Sequence, residues 1–253
     1  MDQVGDYMAS NGLKLNPSKT EIIIFDSKNR TCKEKIIVNK AELLESKQVK
    51  SLGITISHDL SWAHHINKLL SEVSGRIGII TRLRNHLPED QCAILAQGLV
   101  ISKIRYCLSA FAHIRINESE QKNVLHEKLQ IKMNDLLRLI KGVKRKDKIP
   151  IHELSKDLPW SSINRLGIET VALDAWKTIH YEHDLSSEFS IDYQKETRSA
   201  TQELLKPKSK YFSHFTKQST KLLNTKDFED IRHLSNSSEV KKLIRKKIMN
   251  FPF

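Results

Sequence analysis

The sequence predicts an α+β protein that is mostly helical, with a small β portion at the start of the chain. Two observations predict this class. Short apolar runs rich in isoleucine and valine occupy the first 57 residues, as is typical of strands. From residue 58 onward, apolar residues recur at the spacing of an α-helix. A chain of 253 residues is long enough for one large domain or two modest ones.

The charge balance favours a polyanionic partner. Lys and Arg number 42 against 30 Asp and Glu, which gives a formal charge of +12 and favours nucleic acid over a membrane surface. No apolar run approaches the roughly 20 residues that cross a bilayer. The first ten residues contain no Lys or Arg and no apolar core, so we expect no signal peptide. We therefore predict an intracellular protein, cytoplasmic or nuclear and not secreted, with no membrane partner.

The three cysteines indicate a reducing compartment. Cys32, Cys92 and Cys107 are widely spaced, odd in number and without a CxxC pair. Zinc sites and disulfide frameworks require closer or paired spacings. We predict three free thiols and no metal site.

Residues 1–57 are predicted to form one helix and three strands. The helix, Asp2–Ser10, ends at the C-cap pair Asn11-Gly12. The strands are "TEIIIF", "KIIVN" and "VKSLGITI". Gly53 lies inside the third strand, which indicates a bulge or a close approach of another backbone. This β portion is too small to be stable without neighbouring strands.

Residues 58–143 are predicted to form a bundle of three long helices. The first is "SWAHHINKLLSEVSGRIGIITRLRNHLP", which Pro88 ends. The second runs from Pro88 to about Ala112 and is apolar on most sides. The third is amphipathic, covers about Glu118 to Ile140, and is closed by Gly142.

Residues 144–253 are predicted to form a further helical region that begins at the basic hinge "KGVKRKDKIP". It contains a helix from about Ser162 to His180, a polar linker over about 184–210, and the basic amphipathic helix "SEVKKLIRKKI". Trp160 and Trp176 are interpreted as core residues. The basic runs Lys144–Lys148 and Lys241–Lys247 are interpreted as solvated surface, with nuclear targeting or phosphate binding as the alternative.

Several of these segments, in this order, resemble the reverse transcriptases of non-LTR retrotransposons of the jockey-like and chicken-repeat-like groups. The resemblance begins with "NGLKLNPSKTEIIIF" and "VKSLGITISHDLSWAHHI", continues through "HLPEDQCAILAQGLVISKIRYCLSAFA" and "LPWSSINRLGIETVALDAWKTIH", and ends near "STKLLNTKDFEDIRHLSNSSEVKKLIRKKI". It implies that residues 1–57 are a palm remnant with a primer-grip-like hairpin, that 58–143 are a helical thumb, and that 144–253 are the region downstream of it.

The resemblance also implies a parent reaction, RNA-directed DNA synthesis with magnesium. Polymerases of this family hold two metal ions between carboxylates, including those of a Tyr/Phe-x-Asp-Asp turn. The present sequence contains no Asp-Asp pair, and the family places that turn just upstream of the first residue here. We therefore expect a fragment that holds no cofactor itself and is inactive alone as a nucleotidyltransferase, with residual non-specific affinity for nucleic acid.

Three candidate site residues follow from the resemblance. Lys19 matches the position where the family places a general acid for the leaving pyrophosphate, with Lys14 as the competing match and an ordinary turn lysine as the alternative. Leu52 and Gly53 match the primer grip, where a glycine lets the backbone approach the primer phosphates. The alternative for Gly53 is a bulge in a strand.

The remaining candidates are basic side chains that would follow the backbone of an RNA/DNA duplex by charge alone. They are Lys68, Arg76, Arg82, Arg84, Lys103 and Arg105. A solvated helix face is the alternative for each of them. The alternative function is a non-enzymatic helical module, derived from a retroelement, whose apolar faces bind a protein partner.

Overall fold

The protein is mostly helical with a small antiparallel β part, as the sequence predicts. The computed structural model describes residues 2–14, 16–25, 36–38, 41–156, 158, 160–181, 189–195, 201–207, 214–249 and 251. Within these ranges, none of the helices combines the length and the apolar character that a membrane crossing requires.

The chain divides into two compact units, Met1–Lys68 and Leu69–Phe253. The predicted boundaries, after residues 57 and 143, lie one within each unit. The division between the units lies inside the helix Ala63–Leu83, and residues on both sides of 143 belong to the second unit, which we call the helical unit.

Ten α-helices and six strands are assigned within the described residues. The helices are α1 Asp2–Ser10, α2 Ala63–Leu83, α3 Glu89–Ala96, α4 Ser102–Arg105, α5 Leu108–Phe111, α6 Val124–Lys141, α7 Ile151–Leu154, α8 Ile163–His180, α9 His214–Leu223 and α10 Ser237–Ile248. The strands are β1 Ile36–Val38, β2 Ala41–Leu43, β3 Gln48–Ser51, β4 Ile54–Ser57, β5 Phe189–Lys195 and β6 Thr201–Pro207. They pair as three antiparallel hairpins, β1–β2, β3–β4 and β5–β6.

The first unit contains the predicted first helix, but it differs from the prediction in its strands. Helix α1 is confirmed and is followed by Gly12 at φ +70°. The predicted strand "TEIIIF" is wrong, because among the described residues only Ile22 forms a β-bridge, a single parallel one with Glu45. A strand requires continuous pairing with a neighbour. The predicted strand "VKSLGITI" is two strands, β3 and β4, joined by a turn at Leu52 and Gly53.

In the helical unit, α6 and α8 confirm two predicted helices and their termini. The side chain of Asn123 caps α6, and Gly142 closes it at φ +68°. Helix α6 begins at Val124, however, and not near residue 118. Ser162 caps α8 by accepting a hydrogen bond from the backbone N–H of Arg165.

The predicted long helix from Pro88 to Ala112 is broken once. After α3, residues Gln97–Ile101 form a π-helical turn, and the helix continues through it into α4 with right-handed helical backbone at both junctions. The break follows α4, where Cys107 adopts a left-handed conformation at φ +53° before α5 begins. The apolar pattern continues across this break, because Ile104 before it and Leu108 after it are both buried. The pattern alone therefore cannot reveal the break.

The core of the helical unit surrounds α8, which contacts α5, α6, α9 and α10. Trp160 and Trp176 are buried, as predicted, and the indole N–H of Trp176 donates a 2.7 Å hydrogen bond to the carbonyl of Leu234. Gly167 of α8 faces Ala112 and Ile114, and a Cβ there would lie 3.4 Å from each. A small residue therefore allows the chain after α5 to pack closely against α8.

The segment that follows α5 has no regular structure, and side chains of three helices bind its backbone. We call residues 112–116 the strap. From α6, the ring of His126 accepts the backbone N–H of His113. From α8, Asn164 bonds both the N–H and the C=O of Arg115. Contacts from α9 complete the set, and they are made by His214, Gln218 and Lys221.

Two further predictions concern the linker and the cysteines. Strands β5 and β6 lie within the range predicted as a polar linker, while residues 184–188, 196–200 and 208–210 of that range lie outside the described residues. Cys92 is a buried free thiol and Cys107 an exposed one. Cys32 lies outside the described residues, as does the rest of the stretch 26–35.

Candidate functional site

The hairpin β3–β4 ends in a two-residue turn with an unusual composition. Leu52 and Gly53 both have positive φ, +46° and +86°, between the paired residues Ser51 and Ile54. Two left-handed residues in succession are the type I′ turn, which matches the twist of the flanking strands and favours Asn-Gly. Leucine pays about 1–2 kcal/mol for this conformation, and the Leu52 side chain is 88% exposed. Backbone preference therefore does not explain a leucine there.

Replacing Leu52 with asparagine is expected to stabilise the hairpin by about 1 kcal/mol, because asparagine tolerates the left-handed conformation. Amide hydrogen exchange across β3 and β4 should slow about fivefold, a factor that corresponds to about 1 kcal/mol. Leu60→Asn is the matched control, since Leu60 is also exposed and left-handed, at φ +55°, but lies outside the hairpin. Equal slowing in both variants, or none in Leu52→Asn, would contradict the assignment of strain to the turn.

A cleft of about 430 Å³ lies between this hairpin and the first turns of α2, within the first unit. We call it the hairpin cleft. Lys50 lies opposite Thr55 in the hairpin register, and both side chains line the cleft. From α2, His64 and Lys68 line it together because residues four apart share one helix face. The remaining lining residues are Glu21, Gln48 and Val49.

The hairpin cleft is polar and carries a positive excess. Lys50, His64 and Lys68 are exposed, and Glu21 is the only acidic residue in the lining. Nearby, the backbone N–H of Thr55 donates to Nδ1 of the buried His65, at 3.4 Å, which links β4 to the start of α2. Two ammonium groups on a concave surface are suited to bind phosphate oxygens as point charges.

Lys19 and Lys14 lie outside the cleft lining. Lys19 is the last residue of a single 3-10 turn, Pro17–Lys19, which Asn16 caps by accepting the backbone N–H of Ser18 at 3.0 Å. Both lysines are exposed. The geometry places no acidic partner and no other candidate side chain beside Lys19, within the ranges described.

Four of the other five basic candidates have partners inside the helical unit. Arg76 donates to the carbonyl of Leu99 in the π-helical turn, at 2.5 Å. Arg84 donates to the carbonyl of Leu139 at the end of α6, at 2.9 Å. Ion pairs hold the other two, Lys103 with Glu72 and Arg105 with Glu169. Arg82 is exposed. Of the six candidates, Lys68 lines the hairpin cleft in the first unit, and the other five lie in the helical unit.

A larger cavity, of about 580 Å³, lies beside the N-terminus of α6, but its charges are compensated. Glu120 in its lining forms an ion pair with Lys221, and Lys122 lies 3.7 Å from a carboxylate oxygen of Glu127. Burial lowers the pKa of His113, so this imidazole is held neutral. An anion would find fewer available cations here than in the hairpin cleft.

Magnesium, which the resemblance implies, finds no ligand set in the described part of the chain. No group of three or more His, Cys, Asp and Glu side chains is arranged there to hold a metal ion.

The sequence interpretation missed Lys50 and His64. The four-residue spacing of His64 and Lys68 was a usable signal, since it puts both on one face of a helix. Lys50 required the hairpin to be recognised first, and the turn residues Leu-Gly are a weak signal compared with Asn-Gly.

Comparisons with known proteins leave the family open. No family model matches the chain, and searches of the curated proteins and of the solved structures find no match to it. The resemblance to reverse transcriptases therefore stays a prediction that depends on the motifs themselves. The geometry of the hairpin cleft has to be interpreted from its own residues.

Proposed function

We propose that this chain is a reverse-transcriptase-like polypeptide of the non-LTR retrotransposon kind, and that its hairpin cleft binds the phosphate backbone of RNA/DNA duplexes without sequence preference. In this proposal the first unit corresponds to the end of a palm with its primer grip, and the helices from α2 onward correspond to a thumb and the region after it. The chain contributes backbone binding and not nucleotidyl transfer, since the motif that would hold the metals is not in its sequence.

The convergence of Lys50 and Lys68 on one concave surface beside the Leu52–Gly53 turn supports the proposal most directly. These two ammonium groups come from separate elements, so the hairpin and α2 together present them to a ligand. The net charge of +12 adds long-range attraction for a polyanion. Contacts of this kind hold a backbone in place and carry no sequence information.

The double variant Lys50→Gln/Lys68→Gln is expected to bind an RNA/DNA duplex more weakly and with less salt dependence. Loss of two phosphate contacts should make the slope of log affinity against log salt shallower by about 2, at about 0.9 per contact. Fluorescence anisotropy of a labelled duplex, titrated with the whole chain at several salt concentrations, measures this slope.

The matched control is Lys128→Gln/Lys156→Gln, which removes the same charge from exposed lysines outside the cleft. It should keep the wild-type slope. If both double variants reduce the slope equally, binding follows net charge and the cleft is not its site.

A protein-binding module is a second candidate, and exposed apolar residues of α6 favour it. Val124 and Ile131 are seven residues apart, which puts them on one side of the helix, and they are 70% and 52% exposed. An apolar interface of this kind would bind its partner with little dependence on salt. The salt titration therefore separates the two functions.

A further inference from the structure

Helix α10 has a fixed orientation and an uncompensated basic face. Its apolar side, formed by Val240, Ile244 and Ile248, is completely buried, and α10 contacts α8 and the turn Glu229–His233. This burial determines which residues face outward. Five of the twelve residues of α10 are Lys or Arg.

Two of these five cations are neutralised within the chain. Nε of Arg245 lies 3.0 Å from a carboxylate oxygen of Glu169, and Nζ of Lys247 lies 2.8 Å from the carboxylate of Asp230. These pairs fasten α10 to the helical unit, so they are structural.

The other three cations are exposed, and they are Lys241, Lys242 and Lys246. None of the three has an ion-pair partner among the described residues. Glu239 is the only acidic residue of α10, and it forms no ion pair with them. Lys242 and Lys246 are four residues apart, about 6 Å along the helix axis, on one side of α10.

We propose that the exposed side of α10 that carries Lys241, Lys242 and Lys246, an arc of about 140° at 3.6 residues per turn, is a second binding surface for the phosphate backbone of a nucleic acid. It lies in the helical unit, whereas the hairpin cleft lies in the first unit. This inference rests on the proposed function in one respect, the class of ligand, which is a nucleic acid. The residues that it assigns to that ligand are separate from those of the hairpin cleft.

The arrangement favours nucleic acid over an anionic membrane. A basic helix that binds a bilayer inserts an apolar face between the lipid headgroups. The apolar face of α10, formed by Val240, Ile244 and Ile248, is already buried in the protein, so the exposed side of the helix is mostly charged. A surface of that kind attracts phosphates by charge and releases the counterions of a nucleic acid.

The test compares four whole chains on one labelled RNA/DNA duplex across a range of salt concentrations. They are the wild type, Lys241→Gln/Lys242→Gln/Lys246→Gln, the cleft variant Lys50→Gln/Lys68→Gln, and a charge-matched control at the exposed residues Lys128, Lys156 and Lys217. Circular dichroism confirms that each is folded. The α10 variant should make the slope of log affinity against log salt shallower by about 2 to 3, while the control keeps the wild-type slope.

If the α10 variant keeps the wild-type slope, the inference about α10 is overturned. If, in addition, the cleft variant weakens binding, the proposed function of the hairpin cleft still stands. Equal losses in the α10 variant and the control also overturn it. Loss in the α10 variant but not in the cleft variant supports the α10 face and refutes the cleft. The inference is also refuted if the wild type does not bind the duplex. In a parallel titration with vesicles containing phosphatidylserine, it is refuted if the α10 variant loses binding to the vesicles and not to the duplex.

Discussion

Replacing Glu169 with alanine is expected to lower the free energy of unfolding by about 3 kcal/mol. The Glu169 carboxylate is buried in α8, and it forms ion pairs with Arg105 of α4 and Arg245 of α10. Removing one partner from a buried charge group costs about 3–5 kcal/mol, because the remaining charges lose their compensation. Both arginines are partly exposed and regain some hydration, so the lower end of this range applies.

Chemical denaturation followed by circular dichroism measures this loss. Glu89→Ala is the control, because Glu89 also pairs with a lysine, Lys141, at 2.7 Å, but its side chain is half exposed. Exposed pairs contribute about 0–1 kcal/mol. Glu169→Gln should lie between wild type and Glu169→Ala, since it keeps the shape and removes the charge. Similar losses in the Glu169 and Glu89 variants would show that the burial of Glu169 between Arg105 and Arg245 is not what stabilises the protein.

The parts of the fold that the sequence predicted are those whose signals are local. Helix α10 has an apolar residue every fourth position and Asn236 as its cap, and α8 begins at Ser162 with an extended apolar pattern. Capping and periodicity determine such helices from neighbouring residues alone. Their bounds were predicted to within a few residues for that reason.

The parts that were not predicted depend on partners far away in sequence. The run "EIIIF" has the composition of a strand, but only Ile22 pairs, and with a residue more than twenty positions later. The break occurs at Cys107, which is left-handed although it is neither glycine nor asparagine, the residues that usually adopt this conformation. Composition therefore does not mark the break. Tertiary context overrides local preference at both places.

The positions of the candidate site residues likewise depend on partners that are distant in sequence. Arg76, Arg84 and Arg105 are spaced on helices like cations that face a ligand, but each reaches a carbonyl or a carboxylate elsewhere in the helical unit. Sequence spacing shows which residues share a face, and it does not show which face meets another helix. Lys50 was missed for the converse reason, since its face depends on the register of β3 and β4.

The second large effect concerns acid stability and arises from His126 at the start of α6. Its Nε2 accepts the backbone N–H of His113 from the strap at 3.1 Å, and Asn123 Oδ1 lies 3.2 Å from its Nδ1. Accepting at Nε2 requires the neutral ring with its proton on Nδ1. Protonation would point an N–H at the N–H of His113 and break the attachment of the strap to α6.

Burial, with smaller contributions from the charges of His113 and His214, lowers the pKa of His126 from 6.5 to about 4. The unfolded chain therefore takes up a proton at this histidine near pH 6.5, while the folded protein does not until about pH 4. In that window the unfolded state binds more protons, so stability falls as the pH falls. The loss is about 1.4 kcal/mol per pH unit and about 3 kcal/mol in total.

His126→Gln should remove most of this dependence, because the glutamine amide oxygen can accept the N–H of His113 and does not titrate. Free energies of unfolding measured by denaturation from pH 7 to pH 4 test the expectation. The pKa of Glu120 is lowered, so this carboxylate stays ionised between pH 7 and pH 5, the part of the range in which the slope due to His126 is read. His86→Gln, a change at an exposed histidine, should keep the wild-type profile. An unchanged slope in His126→Gln would contradict the expectation, and it would mean that the contacts from Asn164 of α8 and from α9 hold the strap in place without His126.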